Sequence, residues 1–273
     1  MSFLYKCYRD LKSYLGKLDA LVELNELAIR SFKNTANSAS NLREFIEGAS
    51  IEYGINVQFE SFPSLSAWAS QYYVVAVHEA MYLFLYEYRR EFVIVRGLNF
   101  EEDWPKIDGD KLTDVISQVE RFCEHPNIKQ TIGETQLAIF EYYHFLRNRL
   151  AHLHTKKEQE LNDKYEVISE HRTKINQLYK VEDAPNHLEN LCFSDFYIFT
   201  RAAKDIANKL SEIGQPTPQQ IVDYIGMDKF IGLKKFTNNP GRKQKFASNI
   251  IQPYFGQLAV SEIDCIISLV QAH

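Results

Sequence analysis

The chain predicts an all-α fold, and three observations carry that prediction. Leu11, Leu15, Leu18, Leu21, Val22 and Leu24 recur at three- and four-residue spacings, the period of an amphipathic helix. Residues 64–95 hold Trp68, Tyr72, Tyr73, Tyr82, Phe84, Tyr86 and Tyr88, with apolar side chains on most of the circumference, as in a helix buried in a bundle. Only 11 Gly and 8 Pro occur in 273 residues, too few for a sandwich rich in tight turns.

Taken in order, the first helix is predicted over residues 8–32. The small, polar stretch 33–40 (KNTANSAS) reads as a loop, with Ser40 capping a short helix through Gly48. Ile55, Val57 and Phe59 alternate within 51–62, the one strand the sequence predicts. Ser64 or Ser66 opens the aromatic helix, and a loop over 97–109 containing Pro105 ends it. A helix over 110–123 is broken by His125-Pro126. Two more follow over 131–154 and 156–180, the second strongly charged. Beyond a linker at 181–190, Ser194 is the predicted N-cap of a helix reaching 213. Gly214-Gln215-Pro216-Thr217-Pro218 then punctuates the chain before short helices that end over 261–270. The expected organisation is an N-terminal helical extension (1–60), a central helical bundle (61–213) and a small C-terminal helical appendage (214–273).

Composition narrows the function classes. With 45% hydrophobic and 25% charged residues the chain reads as an ordinary globular protein. A net charge of −5 excludes coating nucleic acid by bulk charge, so a nucleic-acid site has to be local. Cys7, Cys123, Cys192 and Cys265 show neither CxxC nor paired spacing, which points to a reducing cytoplasm rather than zinc or disulfides. The opening MSFLYKCYRD lacks an apolar signal-peptide core, and no apolar run approaches the roughly 18 residues of a membrane span. A soluble, cytoplasmic protein without a membrane partner is expected.

One string carries chemistry: Phe145-Leu146-Arg147-Asn148-Arg149-Leu150-Ala151-His152-Leu153-His154. On a helix at about 100° per residue, Ile139, Tyr143, Leu146, Leu150 and Leu153 fall in one arc roughly 80° wide, a packing seam. His144, Asn148 and His152 share the opposite arc, so the polar cluster is expected to face away from the chain's own main core. Leu137 and Phe145 lie near that arc too, which suggests contact with another helix or subunit. Arg147 sits about 140° around from His152, so the two meet through the long Arg side chain, a break in the helix, or two copies apposed about a two-fold axis. Such a set suits RNA phosphodiester chemistry. A His with an ordinary pKa of ~6.5 can take the 2′-hydroxyl proton or protonate the 5′-oxygen, and a guanidinium can steady the charge on phosphorus.

At these residues the chain resembles the HEPN superfamily, whose R-polar-x3-H signature Arg147-Asn148-x-x-x-His152 matches, with Leu150-Ala151 flanking as in RNxxAH stretches. The resemblance covers about ten residues closely and the helical pattern of 61–213 loosely. It implies an all-α bundle acting as a homodimeric, metal-independent endoribonuclease that needs no cofactor. It also implies catalytic roles for Arg147 and His152, an orienting role for Asn148, and a setting in toxin–antitoxin pairs or antiviral (abortive infection) defence with an antitoxin or sensor partner. Members silenced through a tyrosine carry R-x4-H-x-Y, whereas this chain has His154 there, which either assists or is a solvated helix-end His; His144 is a second assisting candidate. Arg and Asn also bridge helices in bundles. The alternative is therefore a non-catalytic helical adaptor that binds a protein or RNA.

A second feature is local charge. Residues 229–261 contain Lys229, Lys234, Lys235, Arg242, Lys243 and Lys245 but no Asp or Glu. Phe230, Phe236, Phe246, Tyr254 and Phe255 are interleaved, either as stacking faces for bases or as core, with Asn238-Asn239-Pro240-Gly241 forming a turn. Lys234, Lys235, Arg242, Lys243 and Lys245 are the candidate RNA-binding residues. Glu79, Glu87 and Glu91 with His78 do not form the ExxH pairs on two helices that a di-metal bundle needs. The P-loop, dinucleotide and serine-hydrolase motifs are missing as well.

Overall fold

The apolar spacing read over residues 8–32 runs on into a longer helix, α1 (Lys6–Asn37), because the small residues after Phe32 still pack: Ala36 is fully buried. In this polar stretch Thr35 and Ser38 satisfy their hydroxyls locally, on the carbonyls of Ser31 and Asn34. The predicted loop is thus confined to a tight turn, and Asn41 rather than Ser40 caps α2 (Leu42–Tyr53), accepting from the N–H groups of Arg43 and Glu44.

α2 also overturns the predicted strand. The helix runs past Gly48 and ends at Gly54, whose φ of 66° permits a Schellman closure: Gly54 N–H to Ile51 O at 3.3 Å and Ile55 N–H to Ser50 O at 3.0 Å. Ile55 and Val57 project from an exposed connection without a sheet partner, so their alternation has nothing to pair with. Ser61, not Ser64 or Ser66, caps α3 (Phe62–Val95), taking the Ser64 N–H at 3.2 Å.

The structure is a computed structural model that describes residues 3–58, 61–104, 110–151, 158–236 and 239–272. The later helices are α4 (Lys111–Cys123), α5 (Ile128–Ile132), α6 (Glu134–Ala151), α7 (Glu158–Glu170), α8 (Arg172–Tyr179), α9 (Phe193–Ile213), α10 (Pro218–Ile225), α11 (Pro240–Phe255) and α12 (Val260–Ala272). Short 3-10 segments lie at Leu188–Asn190 and Met227–Phe236. The chain is an all-α helical bundle, with no strand among the described residues. No single helix there is long and apolar enough to cross a membrane.

Three boundaries differ from expectation. Gly133, at φ 108°, separates α5 from α6 where one helix over 131–154 was predicted. His171 likewise divides 156–180 into α7 and α8. Ser194 lies inside α9, and Asp195 does the capping work, accepting the Cys192 N–H at 2.9 Å.

The helices group into two compact units, each drawn from separated stretches of chain. The first comprises Met1–Ser13, Ala80–Glu134 and Lys204–His273. Its aromatic core includes Tyr5, Tyr88, Phe92, Trp104 and Phe230, each contributing roughly 2–3 kcal/mol by burial. Polar tips in that core serve the end of α9. Tyr88 Oη donates to Leu210 O (2.6 Å), Tyr5 Oη to Gly214 O (2.7 Å), and Arg96 Nη2 to Gly214 O and Gln215 O (3.1 Å each).

The second unit comprises Tyr14–Glu79 and Thr135–Ala203. Here the predicted seam of α6 is observed in part: Ile139, Tyr143 and Leu146 are fully buried and Tyr143 stacks on Phe199 of α9 at 4.9 Å, whereas Leu150 is half-buried and Leu153 lies outside the described residues. Asp195, itself fully buried, gathers Tyr143 Oη, the Asn186 and Cys192 backbone N–H groups and the Asn186 amide within 2.7–2.9 Å. A buried carboxylate with four donors is satisfied without a cation and pins the 181–192 segment to α6 and α9.

Candidate functional site

α6 is buried on nearly every side from Thr135 to Tyr143, then emerges: His144, Arg147, Asn148, Arg149 and Leu150 are half-buried and Ala151 is exposed. Polar side chains therefore collect on its last two turns, facing α3 within the second unit. The prediction that His144 and Asn148 face away from the chain's own core is corrected here. α3 is apolar on most of its circumference, so it covers this arc too, and it does so with His78, only 3% exposed.

Five side chains close a ring. Arg147 Nε and Nη2 donate to Glu79 Oε1 at 3.0 and 2.5 Å, and Arg147 Nη1 donates to Asn148 Oδ1 at 3.2 Å. The Asn148 amide meets His144 Nε2 at 3.0 Å, His144 Nδ1 meets His78 Nε2 at 2.9 Å, and His78 Nδ1 returns to Glu79 Oε1 at 3.4 Å. The donor inventory sets every proton. Arginine only donates, so Asn148 turns its oxygen to Arg147 and its NH2 to His144. His144 Nε2 must then accept, its proton sits on Nδ1, and that N–H points at His78 Nε2. His78 in turn carries its proton on Nδ1, aimed at the carboxylate. Two neutral imidazoles of the same tautomer satisfy the whole ring, with the 3.4 Å contact as its weakest link.

Electrostatics agree with this assignment. Burial, followed by the neighbouring His144 and Arg147, lowers the His78 pKa to about 4, which keeps the His78 imidazole neutral. For Glu79 burial acts upward, but the bonds and charge of Arg147, with His78, together hold its carboxyl below the usual range. Phe140 lies parallel to both imidazoles, 6.3 Å from His78 and 6.1 Å from His144 between ring centres.

Of the sequence-predicted residues, the structure brings Arg147, Asn148 and His144 together; His152 and His154 lie outside the described residues. His78 and Glu79 are site members that sequence reasoning set aside. Their only local signal was a His-Glu pair on a helix apolar nearly all round, where a buried imidazole needs polar partners. Among the described residues no group of three or more His, Cys, Asp or Glu is arranged to hold a metal ion.

The basic segment belongs to the first unit. Lys229, Lys234, Lys235, Arg242 and Lys245 are exposed and Lys243 half-buried. None of the six is ion-paired among the described residues, whereas Lys6, Arg30, Arg43, Arg90, Lys164 and Lys209 all have carboxylate partners. Of the interleaved aromatics Phe230 and Phe255 are core, Phe236 packs on Phe246 at 5.6 Å with both half-buried, and Tyr254 is exposed. Asn238 of the predicted turn lies outside the described residues.

One apolar cleft of about 660 Å³ opens in the second unit, lined by Phe32, Ile46, Tyr53, Ile55, Leu65 and Trp68 among others. None of the residues singled out for chemistry lines it. No family model, curated protein or solved structure matches the chain.

Proposed function

We propose that this chain is a metal-independent endoribonuclease of HEPN type, working as a homodimer in toxin–antitoxin or antiviral defence. The observation that carries the reading is Arg147. Its guanidinium stands where α6 emerges, 27% exposed, tethered on one side to Glu79 and on the other to Asn148. Three of its five N–H groups are engaged in these bonds, and one remains on each terminal nitrogen. A remaining N–H on each terminal nitrogen supplies the two donors that bidentate Arg–phosphate recognition uses.

In the proposed reaction a base removes the 2′-hydroxyl proton and the 2′-oxygen attacks phosphorus. The P–O5′ bond breaks, and the departing oxygen takes a proton from an acid. The products are a 2′,3′-cyclic phosphate and a 5′-hydroxyl. His152 is the proton-transfer residue, Arg147 stabilises charge on the phosphoryl oxygens, and Asn148 orients Arg147. His144 is bonded into the ring and acts through it, and His154 is an assisting candidate. The unpaired cations Lys234, Lys235, Arg242, Lys243 and Lys245 support a separate surface that contacts RNA through its backbone phosphates.

A second reading has an observation of its own. Arg147 already bonds Glu79 at 2.5 Å, as a helix-bridging residue of a non-catalytic adaptor would. Cleavage of total RNA and tRNA in EDTA by wild type, Arg147→Ala and His152→Ala separates the two. Cutting by wild type alone, with cyclic-phosphate ends, supports the nuclease. No cutting by any of the three favours the adaptor, and cutting that survives both substitutions places catalysis outside this motif.

A further inference from the structure

We propose that Glu79, His78 and His144 are positioning residues that hold the Arg147 guanidinium in one orientation, so that its two remaining N–H donors form a fork for an RNA phosphate. The inference rests on the endoribonuclease reading and extends its site to three side chains that the R-N-x3-H motif does not contain.

An isolated Arg–Glu pair at this exposure would be a loose tether, because half-exposed ion pairs are individually weak and long side chains sample many rotamers. The ring changes that. Orientation passes outward from the most deeply buried member: His78 fixes His144, His144 fixes the amide of Asn148, and Asn148 fixes the second edge of Arg147. His78 closes the circuit from behind by pointing its Nδ1–H at the same Glu79 oxygen that Arg147 uses. The guanidinium is thus held along two edges by groups whose own directions are set elsewhere. This arrangement keeps a reacting group within the tolerance that transition-state contacts demand.

The ring is also directional. Protonating His144 would set an Nε2–H against the Asn148 NH2, and turning the amide would set that NH2 against Arg147. Protonating His78 would set its Nε2–H against the His144 Nδ1–H. Each member therefore has one permitted proton arrangement, so the loss of any member should be felt at Arg147.

The test uses the full-length chain and two readouts. Long-range proton–nitrogen correlation spectra of the wild type report imidazole tautomers independently of activity. Both His78 and His144 are expected as neutral Nδ1–H forms near pH 7, and an Nε2–H form of either overturns the ring, whether or not the protein cleaves RNA. Single-turnover and steady-state cleavage of a short RNA then compare wild type with Glu79→Gln and with His144→Phe, which keeps ring shape without the nitrogens. A positioning role predicts a fall in kcat of about 10- to 100-fold with KM within about threefold, and a folded protein by circular dichroism. Wild-type kcat in both variants overturns the proposal while leaving the nuclease reading intact. A wild type that never cleaves RNA defeats that reading, and the positioning role falls with it.

Discussion

Arg96 in the first unit and Arg147 in the second show two uses of one side chain. Arg96 donates to the backbone carbonyls of Gly214 and Gln215 and lies 4.3 Å over the Phe92 ring, closing the end of α9. Both of these acceptors are main-chain oxygens, which do not titrate, and one longer contact runs to Cys123 Sγ at 3.4 Å. Arg147 bonds only to side chains, Glu79 and Asn148, which can exchange partners, and two of its five N–H groups stay outside these bonds. The difference teaches where to look for function: an arginine bound to backbone stabilises a fold, whereas one held by a side-chain network is presented.

The largest predicted effect breaks this comparison most directly. Arg147→Ala should lower RNA cleavage by about 10²- to 10³-fold yet change stability by less than about 1 kcal/mol, as for a half-exposed pair. Arg96→Ala should do the reverse. It strips the Gln215 carbonyl of its donor and uncovers Phe92, at about 2–3 kcal/mol in urea unfolding, with cleavage per folded molecule unchanged. Equal loss of stability in the two variants would remove the distinction.

Next in size is a steric probe of the first unit. A Cβ built at Gly214 would lie 2.0 Å from Tyr88 Oη and 2.9 Å from Leu210 O, so neither the buried phenol nor the helix end has room to retreat. Gly214→Ala should destabilise by roughly 2–4 kcal/mol. Pairing it with Tyr88→Phe should recover part of that loss by removing the clashing oxygen, which a thermal melt of the double variant would show.

How far the sequence reached follows from what each residue needs in order to be read. The seam Ile139, Tyr143 and Leu146 was legible because helical period alone places it, and all three are fully buried. The strand at 51–62 misled because apolar alternation there comes from a helix end running into an exposed connection, two causes that mimic one. Arg147, Asn148 and His144 were found through local spacing, but what covers them was misjudged. The contact from His78 and Glu79 joins residues 66 and 68 positions apart, and no local pattern encodes that distance.

A pH titration sharpens the contrast between the two units. His78 has a folded pKa of about 4 against an ordinary 6.5, faced by Glu79 on α3 and by His144 and Arg147 on α6. Between those values the unfolded chain binds a proton that the folded chain refuses, so stability rises with pH across that window and is lost on acidification through it. The full difference is roughly 3 kcal/mol, present above about pH 6.5 and gone below about pH 4. Urea midpoints measured from pH 4 to 8 should show this slope in wild type and a shallower one in His78→Phe. Matching slopes would mean that His78 is not held neutral by its surroundings.

The smallest effect concerns the six unpaired cations. If Lys234, Lys235 and Arg242 meet RNA phosphates, each contact releases condensed counterions. The logarithm of affinity should then fall with that of salt by about 0.7 per contact on single strands. Changing these three to Ala should flatten the slope by about 2 and weaken binding uniformly across sequences, because phosphate contacts carry no sequence information. A nuclease-resistant 2′-O-methyl oligonucleotide, followed by fluorescence anisotropy, isolates this term from cleavage. Arg147→Ala, which removes a single donor fork, should alter the same slope by less than 1. A flattening larger for Arg147→Ala than for the triple variant would move the electrostatic footprint to α6 and reduce the basic segment to a solvated face.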